Sequence, residues 1–263
     1  MISLQLVRNA GLASLLTSLC SHIYRFENDI DAHFYARSTV YSQEGENMFD
    51  CFFEQCPLKE PIEIWRHGPD ETAANASLQV IAPHMTPIIL EGCDGHDFHA
   101  YPPNRHLAQE PERLERLRSM AARYFLPKQE LIEIARRIVG HGPVLGIHYR
   151  GTDKKVEVPR VPPEQVLAIF QRRNHDGPVF LATDEQAAAQ FFKAHIPRIV
   201  INDHLRSYDD RGVHFSRGGR QQAMETMVDI YCLAMCESLL IGRGNCGDMA
   251  LVLGATQAVE YFN

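Results

Sequence analysis

The chain has 263 residues, 45% of them hydrophobic and 22% charged, with a formal net charge of −7 and a pI near 6.0. That length supports substantial buried cores, in one large α/β domain or two compact ones, and two is the expectation. The acidic balance argues against a sequence-independent nucleic-acid binder, which needs a basic face to neutralise phosphates, while leaving room for a small basic pocket.

At the N-terminus, ISLQLV predicts a strand over residues 2–7, which passes through Asn9, Ala10 and Gly11 into a helix over 12–26 with apolar residues at helical spacing. Arg8 and Asn9 interrupt this apolar run before it reaches the length of a membrane span, and nothing here has the form of a secretory signal. Short apolar runs at 62–65, 78–82 and 87–90, separated by Pro, Gly, Asp and Asn, predict strands joined by surface turns. Helices are predicted over 110–124 and 128–139, the second ended by Gly140 and Pro143. Strands at 144–149, 178–182, 198–202, 239–242 and 258–262 then alternate with helices at 163–172, 185–194, 221–238 and 247–253.

Such alternation, with nearly continuous apolar strands, predicts a parallel sheet covered on both faces, whose ligands bind beyond the strands' carboxyl ends. The expected division is an N-terminal α/β domain over 1–125 and a Rossmann-like domain over 126–263. Seven cysteines (Cys20, Cys51, Cys56, Cys93, Cys232, Cys236 and Cys246) are odd in number and include no C-x-x-C pair. Neither a disulfide framework nor a zinc ribbon is indicated, and a reducing cytoplasm is the expectation.

The segment GIHYRGTDKK, 146–155, ends an apolar strand in His148, Arg150, Asp153 and two lysines. An arginine fork can hold a diphosphate bidentately while Lys154 adds a mobile charge, neutralising the negative charge that grows as a nucleoside diphosphate leaves. A solvated turn with Asp153 paired to a lysine is the alternative for such a cluster. Asp184 and Asp203 each follow a predicted strand. Asp184 can accept hydrogen bonds from a guanine edge or cap the following helix. The loop Gly242–Gly247 precedes a helix, so Gly244, Asn245 and Cys246 can present backbone amides to a diphosphate with Arg243 beside them, or can simply form a tight strand-to-helix connection.

These segments resemble the α-1,6-fucosyltransferases, a group that includes rhizobial nodulation and eukaryotic core-fucosylating enzymes and belongs with the protein O-fucosyltransferases. GIHYRGTDK is similar to their H-x-R-R-T-D-K motif, FLATDE at 180–185 to F-L-A-T-D-D, and IVINDH at 199–204 to the strand that follows. MVDIYCLAMCESLLIG resembles their L-D-I-x-x-L-S-x-A-D-F-L-V segment, and GRGNCGDMA stands where they have a Ser-rich loop. More loosely, RNAGLASLL resembles their R-x-G-F-G-x-x-L opening.

The resemblance implies a GT-B-like α/β fold of two Rossmann-like domains. It further implies an inverting, metal-independent transfer of fucose from GDP-fucose to a hydroxyl of a glycan or glycoconjugate, in which Arg150 grips the β-phosphate and His148 and Asp184 contact the guanosine. Asp203 supports that pocket, Glu157 or Asp153 is the base, and Asn9, Gly11 and Ser14 face the nucleotide across the cleft. For Glu157 an exposed loop position is the alternative, and for the last three ordinary turn and capping chemistry is.

Two departures stand out. Gly151 occupies the place of the motif's second arginine, and Gly244 and Asn245 replace the loop serines. Losing one guanidinium weakens charge neutralisation by about a kcal/mol or more unless Arg217, Arg220 or Arg243 compensates. A different sugar nucleotide, or a binding protein without turnover, are the competing readings. The segment 91–106 holds Asp94, Asp97, His96, His99 and His106, but its spacing matches no strong metal motif, and neither a metal nor any other cofactor is expected.

Overall fold

The computed structural model describes residues 2–8, 11–25, 32–38, 40–43, 46–55, 77–81, 88–90, 106–140, 144–152, 160–204, 206–208, 219–256 and 258–262. The chain opens as a β-α-β unit: β1 (Ile2–Arg8), α1 (Leu12–Arg25) and β2 (Ala32–Ser38), with β1 and β2 parallel. On the other side of β1, β4 (Ser77–Ile81) pairs antiparallel, and β5 (Ile88–Leu90) pairs antiparallel to β4. The result is a mixed sheet of order β2-β1-β4-β5. The expected strand at 62–65 lies outside the described residues.

Between β2 and β4 comes a short helix, α2 (Met48–Phe52), running directly into β3 (Phe53–Glu54). Asn47 fixes α2 against β2: its Oδ1 accepts from Phe49 N at 3.1 Å and Ala36 N at 2.9 Å, and its Nδ2 donates to Phe34 O at 2.9 Å. One side-chain amide thus caps a helix and satisfies a strand edge. A single 3-10 turn (Leu107–Gln109) leads to α3 (Pro111–Tyr124), with proline in its first turn, where no amide hydrogen is required. β6 (Leu126–Pro127) then returns to pair antiparallel with β3. The junction is packed by aromatic rings: Phe49 meets Phe34, Phe53 and Phe125 at centroid distances of 5.1, 4.8 and 5.4 Å.

The second half is regular. α4 (Gln129–Val139) ends at Gly140, whose φ of 75° lies in the region that glycine tolerates. β7 (Leu145–Tyr149), α5 (Pro163–Arg172), β8 (Val179–Thr183), α6 (Gln186–His195), β9 (Ile199–Ile201), α7 (Arg220–Ala234), β10 (Ser238–Gly242), α8 (Asn245–Leu253) and β11 (Ala258–Phe262) follow in order. The five strands form an all-parallel sheet of order β11-β10-β7-β8-β9. β7 and β8 are buried at every position, as two-sided coverage requires.

Alternation along β7 and β8 separates two cores. Leu145, Ile147, Tyr149 and Leu181 face Val166, Phe170 and Phe192 of α5 and α6. Phe180 and Ala182 face α7 and α8, and that core continues without a break through Leu251 and Met227 to Leu15, Phe49 and Leu117 of the first half. α1 and α3 both pack on α8, across the expected boundary at 125/126.

Candidate functional site

Three neighbouring strands of the parallel sheet, β10, β7 and β8, deliver their carboxyl ends side by side. Arg150, Gly151 and Thr152 leave β7 there, Asp184 and Glu185 leave β8, and Gly242 leads through Arg243 and Gly244 into α8. This is the end of an α/β sheet where ligands are held, because strands stop and helix N-termini begin at one level.

Asp184 organises the exit of β7. Its Oδ2 accepts from the Thr152 hydroxyl at 2.5 Å and lies 3.6 Å from Arg150 Nε, and its Oδ1 accepts from the Gly151 amide at 3.3 Å. Thr152 is buried, while the Arg150 and Asp184 side chains are about three-quarters covered. The carboxylate therefore aims at the loop that carries Arg150. It does not cap the next helix: the N-cap of α6 is Glu185, whose own side chain makes no cap hydrogen bond. The Asp184 carbonyl receives the Ser207 amide at 2.8 Å, and Ser207 O accepts from Gln186 N at 2.9 Å, so the chain beyond β9 is stitched to the end of β8.

His148, the penultimate residue of β7, points to the α8 side and is buried. Its ring lies against the start of α8, where a Cβ on Gly244 would be 3.5 Å from Cε1 and a Cβ on Gly247 would be 3.4 Å from Nδ1. Small residues here let the helix terminus approach the strand end closely. Gly244 is the N-cap and supplies no side-chain cap to the first-turn amides. Asn245 is buried, and its Oδ1 accepts from the Thr17 hydroxyl of α1 at 3.4 Å, which brings α1, and Ser14 one turn earlier, beside the same helix end. Gly11 precedes α1, its carbonyl accepting from Leu15 N at 3.0 Å. Cys246 is partly exposed.

Arg243 is near enough to His106 that, after burial, its charge is the second cause holding that imidazole below its ordinary pKa. His106 stacks on Tyr261 at 3.8 Å, and the Tyr261 hydroxyl lies 3.4 Å from Asp248 Oδ1. Arg220, considered from sequence as a replacement cation, is exposed and lies 3.9 Å from Glu46. Asp203 is exposed just beyond β9 and is one of the acids near Arg206. Asn9, Asp153, Lys154, Glu157 and Arg217 lie outside the described residues. Among the described residues, no group of His, Cys, Asp and Glu is arranged to hold a metal ion, and no helix is long and apolar enough to cross a membrane.

The structure adds residues to which the sequence reading gave no role. Asp229, on α7, accepts from Asn202 Nδ2 at 3.0 Å and lies 2.8 Å from His204 Nε2. Arg206, buried, donates to the carbonyls of Asn202 and His204 and braces the same turn. The available signal was one acid in the apolar stretch MVDIYCLA. Glu185 and Arg160 form a second carboxylate–guanidinium pair beside Gly151, and Arg160 lies in no motif.

No protein-family model matches the chain. No curated protein matches it in sequence. In structure it is similar to the NodZ α-1,6-fucosyltransferase soaked with GDP-fucose, at a TM-score of 0.50 and 17% identity over 94% of this chain and 91% of that one. It is likewise similar to the fucosyltransferase NodZ from Bradyrhizobium, at a TM-score of 0.50 and 16% identity over 93% and 90%. The fold thus points to the same proteins that the motifs resemble, and the chain has the α/β, GT-B-like architecture of those fucosyltransferases.

Proposed function

We propose that this protein is a glycosyltransferase that moves L-fucose from GDP-fucose to a hydroxyl of a glycan or glycoconjugate, with inversion and without a metal. The observation that carries this reading is the meeting of Arg150, Asp184 and the α8 N-terminus at one end of the parallel sheet, in a chain with this fold. Arg150 and Lys154 hold the diphosphate from the β7 side, and the amides of Asn245, Cys246 and the glycine-bounded turn, with Arg243, receive it from the α8 side. His148 and Asp203 line the nucleotide pocket. Asp184 serves that pocket chiefly by fixing the Arg150 loop, since both its oxygens already accept from that loop.

In the transfer, the acceptor oxygen attacks the anomeric carbon as the bond from that carbon to the β-phosphate oxygen breaks. Its proton passes to Glu157 or Asp153, and GDP leaves with its charge spread over Arg150, Lys154 and the helix amides. The acceptor enters past Asn9, Gly11 and Ser14, on the α1 side. The five described cysteines are free, which supports work in the reducing cytoplasm.

Release of GDP from GDP-fucose, followed with a panel of glycan acceptors and repeated in EDTA, tests this reading. Acceptor-dependent release that survives EDTA is expected. Tight GDP binding without release under any acceptor would favour a binding protein, and turnover of UDP- or dTDP-sugars instead would move the donor assignment.

A further inference from the structure

Asp184 and Glu185 are adjacent acids, and they grip the chain where it leaves β7 and again at Arg160. Asp184 takes the outgoing end at Arg150, Gly151 and Thr152. Glu185 takes the returning end: its Oε1 pairs with Arg160 Nη2, and Arg160 Nε donates to the Tyr149 hydroxyl at 3.4 Å. That hydroxyl in turn donates to Val161 O at 3.0 Å, so the chain that leaves β7 at Arg150 is back beside Tyr149 at Val161.

Gly151 lies between the acids. A Cβ there would be 1.8 Å from Glu185 Oε2 and 3.0 Å from Tyr149 Cε1, so the carboxylate fills the space a side chain would need. That same Oε2 is buried and accepts no hydrogen bond from the described residues. A buried carboxylate oxygen without a donor is costly, and this one faces the position where the resembling motif carries an arginine. In this chain the guanidinium comes instead from Arg160, further along, and reaches only the other oxygen.

We propose that Arg160, Glu185 and Gly151 form a compensating unit: Arg160 replaces the guanidinium absent at 151, and Arg160 and Glu185 act as positioning residues that hold the Arg150 loop for diphosphate binding. The proposal rests on the donor-site reading above. Tyr149, to whose hydroxyl Arg160 donates, packs on the α5/α6 face, so the proposed action of the unit is on the Arg150 segment.

Calorimetric titration with GDP, alongside thermal melting, of the intact chain, Arg160→Ala, Arg160→Lys, Glu185→Gln, Gly151→Arg and the double variant Arg160→Ala/Gly151→Arg tests it. Arg160→Ala should lose about tenfold in GDP affinity, on the scale of one charge-assisted hydrogen bond. Arg160→Lys should recover part of that loss. Moving the guanidinium to 151 in the double variant should restore affinity to within a few-fold of the intact chain, because Glu185, released from Arg160, can turn to meet it. Gly151→Arg alone should gain nothing, because Arg160 holds Glu185 where its Oε2 occupies the space of the new Cβ. Unchanged GDP affinity in Arg160→Ala, or no rescue by the relocated arginine, overturns the proposal. If the intact chain binds no guanine nucleotide, the donor-site reading fails; melting-temperature coupling of Arg160 to Glu185, with rescue by Gly151→Arg, would then support the structural unit, and its absence would overturn that too.

Discussion

At the scale of single residues, the carboxylate of Asp184 has contacts that the sequence does not foretell. Free, it would read a base edge; as found, it receives the Gly151 amide, the Thr152 hydroxyl and the Arg150 guanidinium. On the proposed function, a carboxylate so occupied would serve all nucleotides alike. Asp184→Ala is therefore expected to weaken GDP and ADP binding by similar factors, leaving the ratio of the two dissociation constants close to that of the intact chain. A collapse of guanine preference on that substitution, measured by competition titration, would return Asp184 to the base-reading role. Thr152, Glu185 and Arg160 are absent from the sequence-derived site because their roles depend on which strands become neighbours. The register pairing Tyr149 with Thr183 brings the two exits together, and nothing local to either segment encodes it.

Among the elements, β7, β8 and β10 and the helices between them follow closely from apolar patterning, because each strand is buried on both faces and each helix shows one face to a core. Departures come where end effects outweigh periodicity. The helix expected over 221–238 stops at Ala234, since Ser238 already belongs to β10, and α8 begins two residues before the expected 247. β2 and the two-residue β3–β6 pair gave no usable pattern: the last is only two residues long on each strand and is held by the phenylalanine cluster. A close backbone approach is found at the α7–α8 ends, where a Cβ on Gly254 would lie 2.3 Å from the Ala234 carbonyl oxygen. Backbone cannot rotate out of the way. Gly254→Ala should cost about 1–3 kcal/mol, a fall in melting temperature of roughly 2–4 °C per kcal/mol. Gly247→Ala, whose nearest contact would be Ile241 Cδ1 at 3.2 Å, should cost less. Equal melting temperatures for the two would show that the helix ends can separate without penalty.

For the whole molecule, the apolar cluster joining α1, α2 and α3 to α7 and α8 makes the two halves thermodynamic partners. Arg118 of α3 adds polar ties to α8 and the segment after it, donating to Leu251 O at 3.0 Å and Thr256 O at 3.1 Å. Denaturant unfolding followed by circular dichroism and by hydrogen exchange in α1 and in α7 should give one coincident transition. Separate transitions for α1 and α7 would mean that each half is stable alone. The same union brings α1 to the α8 N-terminus through Thr17 and Asn245, so this end of the parallel sheet is built from both halves of the chain. On the proposed function, Arg150 and α8 together form a guanosine-diphosphate site. Calorimetric titration of the intact chain and of Arg150→Ala with GDP, UDP and dTDP, in EDTA, tests it most directly. GDP should bind in preference to the other two without metal, and Arg150→Ala should lose about 1.5–3 kcal/mol of that affinity, the worth of a charge-assisted contact. Failure of every nucleotide to bind, or GDP binding unchanged in Arg150→Ala, would contradict it.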